Sequence, residues 1–167
     1  MKLSRRAFIV GSAAAGGGLA IGMRLPLGVE TAAAKAADAG SEINAWVVVK
    51  PDDTCVIRIA RSEMGQGTLT GLAQLVAEEL ECDWRRVRVD YADSNEQLRR
   101  KRVWGSMSSA GSRTIRESHQ VLRAAGASAR EMLVAAAAQG WGVAAAECRA
   151  ANGVITHAAS GRRTTYG

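Results

Sequence analysis

Cysteine is sparse in this chain: Cys55, Cys82 and Cys148 lie far apart, with no C-x-x-C pair among them. That spacing excludes a zinc ribbon, an iron–sulfur cluster ligated by these residues and a thioredoxin-type redox pair. Histidine is rarer still. His119 and His157 share no metal-ligand spacing with each other or with a cysteine, and a solvent-facing or hydrogen-bonded surface position is expected for both. No run of about eighteen apolar residues occurs, so no transmembrane span is expected. A GxxxxGK[ST] phosphate loop and a nucleophile elbow are both missing. Their absence removes a nucleotide triphosphatase of that type and leaves a hydrolytic triad unsupported. What is present suits one domain: 167 residues, 47% hydrophobic and 23% charged, can bury a real core and are too apolar for disorder throughout.

Residues 1–40 are laid out as an address rather than as fold. Lys2, Arg5 and Arg6 precede Phe8-Ile9-Val10 and a soft run of Ala, Gly, Leu and Ile as far as Gly22, followed by small residues at 32–36. This is the three-part pattern of a secretory signal, too short and too Gly-rich to span a bilayer stably. Ser4-Arg5-Arg6-Ala7-Phe8-Ile9 resembles a twin-arginine export signal, the route taken by folded and often cofactor-loaded proteins. The weak hydrophobicity of residues 11–22 suits that route; an ordinary signal or a chance Arg-Arg pair are the alternatives. Periplasmic delivery is therefore expected.

The formal charge of +6 is partly the address, which carries Lys2, Arg5, Arg6, Arg24 and Lys35. The remaining basic clusters, Arg85-Arg86-Arg88 and Arg99-Arg100-Lys101-Arg102, are flanked by Trp84 and Trp104. A solvated face, a partner surface or an anion site accounts for them, and nucleic acid is not expected as a partner of an exported chain.

The body, residues 41–167, alternates strand and helix signals. Residues 45–50 are β-branched and 55–60 alternate, with Pro51-Asp52-Asp53 between them, which predicts a β-hairpin. Leu69, Leu72, Ala73, Val76 and Leu80 recur at helical spacing and predict a helix ending near Glu81. Val87, Val89 and Tyr91 mark one side of a third strand, and residues 93–102 read as an irregular loop. An Ala-rich helix is predicted over 112–138, with Ile115, Leu122, Ala125, Ala129 and Leu133 on one stripe and Gly126 weakening its middle. A short helix over 143–147 and short strands around Asn152-Gly153 and Gly161 complete the chain. The class is mixed α/β: a small sheet covered by two helices, without internal repeats, breaking off at Tyr166-Gly167 as if cut at a turn.

Two loops can carry chemistry. Glu63-Met64-Gly65-Gln66-Gly67-Thr68 brackets a polar residue with glycines between a strand and a helix, where free N–H groups can meet an anion. The stretch from Gly105 to Thr114 sets serine hydroxyls and Arg113 at the start of the next helix, a plausible phosphate cradle. Helix-cap chemistry is the plain alternative for each.

Glu63-Met64-Gly65-Gln66-Gly67, a helix, a strand ending in Asp90-Tyr91-Ala92-Asp93, and then the loop from Gly105 to Thr114 with its helix follow the order seen in molybdenum hydroxylases. From Ile43 onward the chain resembles the molybdopterin-binding large subunit of the xanthine dehydrogenase/aldehyde oxidase family. Within that family it is most like the isoquinoline 1-oxidoreductase β-subunit type, as an N-terminal fragment. The resemblance implies a mixed α/β portion of a larger molybdopterin-binding domain. It also implies molybdenum on molybdopterin, in the cytosine dinucleotide form, with [2Fe–2S] centres on a separate small subunit and a cytochrome as candidate acceptor. Such enzymes hydroxylate an N-heterocycle or an aldehyde carbon with oxygen from water, a glutamate acting as base. Carried over by position, Gln66 is implied near the molybdenum oxo group, with Gly65 and Gly67 permitting its approach. Ser108, Ser109, Gly111, Ser112 and Arg113 are implied along the molybdopterin. Family members are several times longer and their catalytic glutamate lies towards the C-terminus, so no residue here is assigned as catalytic or as a metal ligand, and this segment is expected to be inactive alone.

An exported binding module with anion-binding loops and an anion-binding accessory domain are the competing readings. Changing Arg5 and Arg6 together to lysine is expected to strand the protein in the cytoplasm. Cell fractionation checks this, and unchanged periplasmic delivery would rule out the twin-arginine route.

Overall fold

Pro51 and the Asp52 carboxylate, which accepts the Thr54 amide at 2.9 Å, turn the chain between two β-branched runs. In the computed structural model, which describes residues 40–167, these runs are β2 (Val47–Val49) and β3 (Cys55–Ile59), paired antiparallel as the hairpin reading expects. A two-residue strand, β1 (Ser41–Glu42), joins the outer edge of β2. Apart from Gly40, the expected signal segment lies outside the described residues.

The chain leaves β3 through α1 (Thr68–Leu80) and returns as β4 (Val87–Tyr91), parallel to β3 with Cys55 opposite Val87 and Ile59 opposite Tyr91. This crossover completes a sheet of order β1-β2-β3-β4. The helical repeat read from the sequence is the buried face of α1, where Leu72, Ala73, Val76, Ala77 and Leu80 meet the core.

Residues 93–102, expected to be irregular, instead contain α2 (Ser94–Arg99). Asp93 caps it by accepting the Glu96 amide at 2.8 Å. The helix is too short to print an apolar repeat, and its one buried side chain is Gln97, so only the cap could have disclosed it.

The long helix α3 (Arg113–Trp141) spans 29 residues. It overruns its expected end and stops where Gly142 takes the left-handed conformation. Leu122, Ala125 and Ala129 of the predicted stripe are buried, whereas Ile115, at the N-terminal end of the stripe, is 45% exposed. Gly126 has a different role from the one its weak helix propensity implies. A Cβ there would stand 2.4 Å from the Val76 carbonyl oxygen and 3.0 Å from the Glu79 Cβ. The missing side chain is what lets α3 settle against α1.

A 3₁₀ turn (Ala145–Glu147) replaces the short helix expected over 143–147. It leads into β5 (Cys148–Ala151), β6 (Val154–His157) and β7 (Arg162–Thr165), an antiparallel meander. The mixed α/β class holds, but the strands divide into two small sheets rather than one. The meander is tied to the end of α1 instead of to a strand edge. Buried Tyr166 donates its hydroxyl to the Leu80 carbonyl at 2.7 Å, and the Gly153 amide donates to the Glu81 carbonyl at 2.8 Å. His157 is buried too, with Nδ1 2.7 Å from Ser160 Oγ and Nε2 3.2 Å from a Glu147 oxygen, where a surface position was expected.

Replacing Gly126 by alanine is expected to destabilise the protein by about 1–3 kcal/mol, because a backbone carbonyl cannot yield as a side chain can. Thermal or denaturant unfolding checks the loss; an unchanged midpoint would show that the helices do not touch there.

Candidate functional site

The strand alternation places Cys55, Ile57 and Ile59 on the core side of β3, and two residues further on the same side falls Arg61. Its side chain is only 6% exposed. Burying a guanidinium is unfavourable unless its N–H groups find acceptors. Nε donates to Ser118 Oγ at 3.1 Å, one terminal nitrogen donates to the Ser108 carbonyl, and the other lies 3.4 Å from a Glu117 oxygen. Every one of these acceptors lies on the second loop or in the first two turns of α3. The next residue repeats the link, since the Ser62 amide donates to Ser109 Oγ at 2.8 Å. The two loops singled out in the sequence are therefore stitched side by side.

In the first loop, Glu63 folds back over the start of α1. One carboxylate oxygen accepts the Gly65 and Gly67 amides at 2.7 and 3.0 Å, and the other accepts the Leu69 amide at 3.0 Å. These bonds, from Leu69 foremost and then from Gly67 and Gly65, hold the Glu63 carboxyl below its ordinary pKa. The amides expected to be free for an anion are thus engaged by a carboxylate of the chain itself. Gln66 is bound into the same turn: Nε2 donates to the Ser62 carbonyl at 2.8 Å and to Thr68 Oγ1 at 2.6 Å, while Oε1 accepts the Met64 amide at 2.5 Å. Its remaining capacity is a second lone pair on Oε1. From β4, the Tyr91 hydroxyl accepts the Glu63 amide at 3.2 Å.

The second loop starts from a buried staple. Gln97 accepts the Trp104 amide at 3.0 Å and donates to the Gly105 carbonyl, and Trp104 Nε1 donates to the Ala45 carbonyl at 2.8 Å. Trp104 is 5% exposed, so it is a core residue and not a stacking platform beside the basic run. Gly111 and Ser112 both take left-handed φ values, +66° and +53°, and Ser112 leaves α3 without a side-chain cap. Arg113 is half-exposed, its Nε 3.8 Å from the same Glu117 that meets Arg61. Beneath the loop is a cavity of about 360 Å³, walled by Trp46, Trp104, Leu122, Arg61, Ser106 and Ser118 among others.

The Ser62 carbonyl accepts both Gln66 Nε2 at 2.8 Å and Ser109 Oγ at 3.4 Å, so Gln66, between Gly65 and Gly67, adjoins Ser109, while Ser108, Gly111, Ser112 and Arg113 belong to the same second loop and the start of α3. All are exposed except half-buried Ser109. Nothing lies within 4 Å of where a Cβ would stand on Gly65, Gly67 or Gly105, so their faces are clear for a ligand. Open glycine faces and a neutral amide on one loop, with hydroxyls and one exposed guanidinium on the other, form a lining that fits a polar, phosphorylated heterocycle such as molybdopterin. Arg61, Glu117 and Ser118 received no site role from the sequence; the signal that could have found Arg61 is a charge falling on the inward side of an alternating strand.

A sequence-family profile described as a molybdopterin cofactor-binding domain matches residues 4–167. The chain is 38% identical over its full length to isoquinoline 1-oxidoreductase subunit beta of Brevundimonas diminuta, covering 22% of that protein. It is 31% identical over 99% of its length to a membrane-bound aldehyde dehydrogenase [pyrroloquinoline-quinone] of Gluconacetobacter polyoxogenes, covering 21% of it. The chain thus spans about a fifth of the length of these relatives. Among solved structures, quinoline 2-oxidoreductase from Pseudomonas putida 86 matches 72% of the chain and 14% of its own length, with a TM-score of 0.52 and 16% identity, a likeness of fold alone. A profile match across nearly the whole chain, together with two adjoining loops whose exposed groups suit such a cofactor, shows that the chain belongs to the molybdopterin cofactor-binding domain family.

Proposed function

We propose that residues 61–68 and 105–113 form one wall of a molybdopterin site in an oxidoreductase subunit. That subunit hydroxylates an N-heterocycle or an aldehyde carbon with oxygen from water and passes the electrons to a small [2Fe–2S] subunit and on to a cytochrome. The observation that carries this reading is the stitching of the glycine–glutamine loop to the serine loop by Arg61 and by the Ser62–Ser109 bond. It gives one ligand a neutral surface on the first loop beside hydroxyls and a guanidinium on the second. Gly65, Gln66 and Gly67 hold one side of the cofactor, and Ser108, Ser109, Gly111, Ser112 and Arg113 the other. Hydroxyls and a guanidinium suit phosphoryl oxygens, which molybdopterin presents both as the monophosphate and in the cytosine dinucleotide form proposed here. When bound, the cofactor supplies a two-electron redox centre. The printed names of the two relatives support a heterocycle and an aldehyde respectively, and the Arg5-Arg6 signal supports periplasmic delivery by the twin-arginine route.

Gln66 is central to this reading. Its amide shapes the loop through three hydrogen bonds and presents a neutral group where a charged one would repel an anionic cofactor and sit beside Glu63. In the full-length protein, Gln66→Ala is expected to lower turnover by about 10²–10³-fold at unchanged molybdenum content, the usual effect of losing a preorganised hydrogen-bonding group. Gln66→Glu is expected to fall further, since it sets a second carboxylate in the turn that Glu63 occupies. Molybdenum, pterin and quinone contents are measured alongside kcat. Full activity of Gln66→Ala at wild-type molybdenum content would show that the loop merely connects strand to helix. A wild-type protein carrying pyrroloquinoline quinone and no pterin would overturn the cofactor assignment.

A further inference from the structure

Arg61 reaches no solvent-facing ligand, yet every acceptor of its guanidinium belongs to the second loop or to the start of α3. The planar fork explains why this residue does so: its nitrogens diverge at fixed angles, here to the Ser118 hydroxyl, the Ser108 carbonyl and the Glu117 carboxylate. The Ser108 carbonyl belongs to the backbone of the serine loop itself. Glu117 in turn stands 3.8 Å from Arg113, so Arg61 bears on both ends of the stretch 108–113. A lysine has the charge but not the fork, and could satisfy one acceptor while leaving the others adrift.

We propose that Arg61 is a positioning residue for the cofactor, holding the serine loop in register with the glycine–glutamine loop; this rests on the molybdopterin reading above. Residues that orient the ligands of a metal commonly change metal affinity or activity about 10–100-fold when removed, without touching the metal, and the same order is expected of a residue that orients a cofactor loop. Arg61 acts in that way, through the Ser108 backbone and through Glu117 on Arg113.

The test uses the full-length protein as purified from cells. Wild type, Arg61→Lys and Ile155→Ala are compared for pterin per chain, for the rate of pterin release, and for thermal midpoint. Backbone amide exchange across 105–113 is followed in parallel. Ile155 is buried on β6 of the meander, outside both loops and outside the α1–α3 crossing, and its truncation serves as a control for general destabilisation. Arg61→Lys is expected to release pterin about tenfold faster or more, at a given midpoint, than Ile155→Ala, with exchange quickened selectively at 105–113. Ser118→Ala, which removes one acceptor and keeps the arginine, is expected to move the same way by less, and supplies the answer if Arg61→Lys does not accumulate. Release from the Arg61 or Ser118 variant no faster than from Ile155→Ala would overturn the proposal while leaving the cofactor reading intact. Wild-type protein without pterin would overturn both.

Discussion

With no side chain at Gly126, the backbone of α3 comes to rest against the Val76 carbonyl of α1, at a separation that a single methyl group would violate. That closeness governs more than the helix pair. α3 is stiff, and Ser118 lies eight residues, roughly two turns or 12 Å, before the crossing. Where the crossing sits therefore decides where the first turns of α3 and the loop before them arrive. They arrive beside the end of β3, close enough for Arg61 to reach Ser118 and Glu117 and for Ser62 to bond Ser109. The site is a consequence of helix packing some distance away.

Two charges at the site are used in opposite ways. Arg61 is withdrawn from water and surrounded by acceptors, which makes it a rigid tie between loops. Glu63 stays accessible and gathers three amides at the start of α1, complementing the positive end of the helix. The carboxylate stabilises the turn that exposes Gly65 and Gly67, and it removes that turn from the set of anion sites. Phosphoryl recognition in the proposed function thus falls to the serine loop and Arg113, and the glycine–glutamine loop offers neutral contacts.

The connection from β4 to the second loop shows how a polar stretch can be ordered. Asp93 starts α2, and the Gln97 carbonyl then accepts the Arg102 amide at 2.7 Å while its side chain spans Trp104 and Gly105. Lys101 and Arg102 take consecutive left-handed φ values of +52° and +59°, a conformation that persists only where the surroundings over-determine it. The basic run that attracts notice in the sequence is partly neutralised in place. Arg99 pairs with Glu96, and Arg100 pairs with Glu42 while standing 5.5 Å over the Trp104 ring.

Local rules were enough for the β2–β3 hairpin, for α1 and for the body of α3, because each is written in periodicity, turn residues and glycine stops within a few positions. The two loops were legible for the same reason, and the family resemblance rested on their residues and order. α2 was missed because its cap outweighs its composition, and the second sheet because pairing β5–β7 away from β1–β4 depends on Tyr166 reaching the far end of α1. Gly126 appears in sequence as a weakness and in the structure as the point of closest approach, since propensity is a local property and steric clearance is not. Arg61 and its acceptors Glu117 and Ser118 lie more than fifty residues apart along the chain, and the partner of a buried charge is chosen only when the fold closes. The sequence determined which residues the proposed function sets against a cofactor. The tertiary structure decided that they stand together, that Glu63 engages the first helix terminus, and that an arginine behind them holds the loops in register.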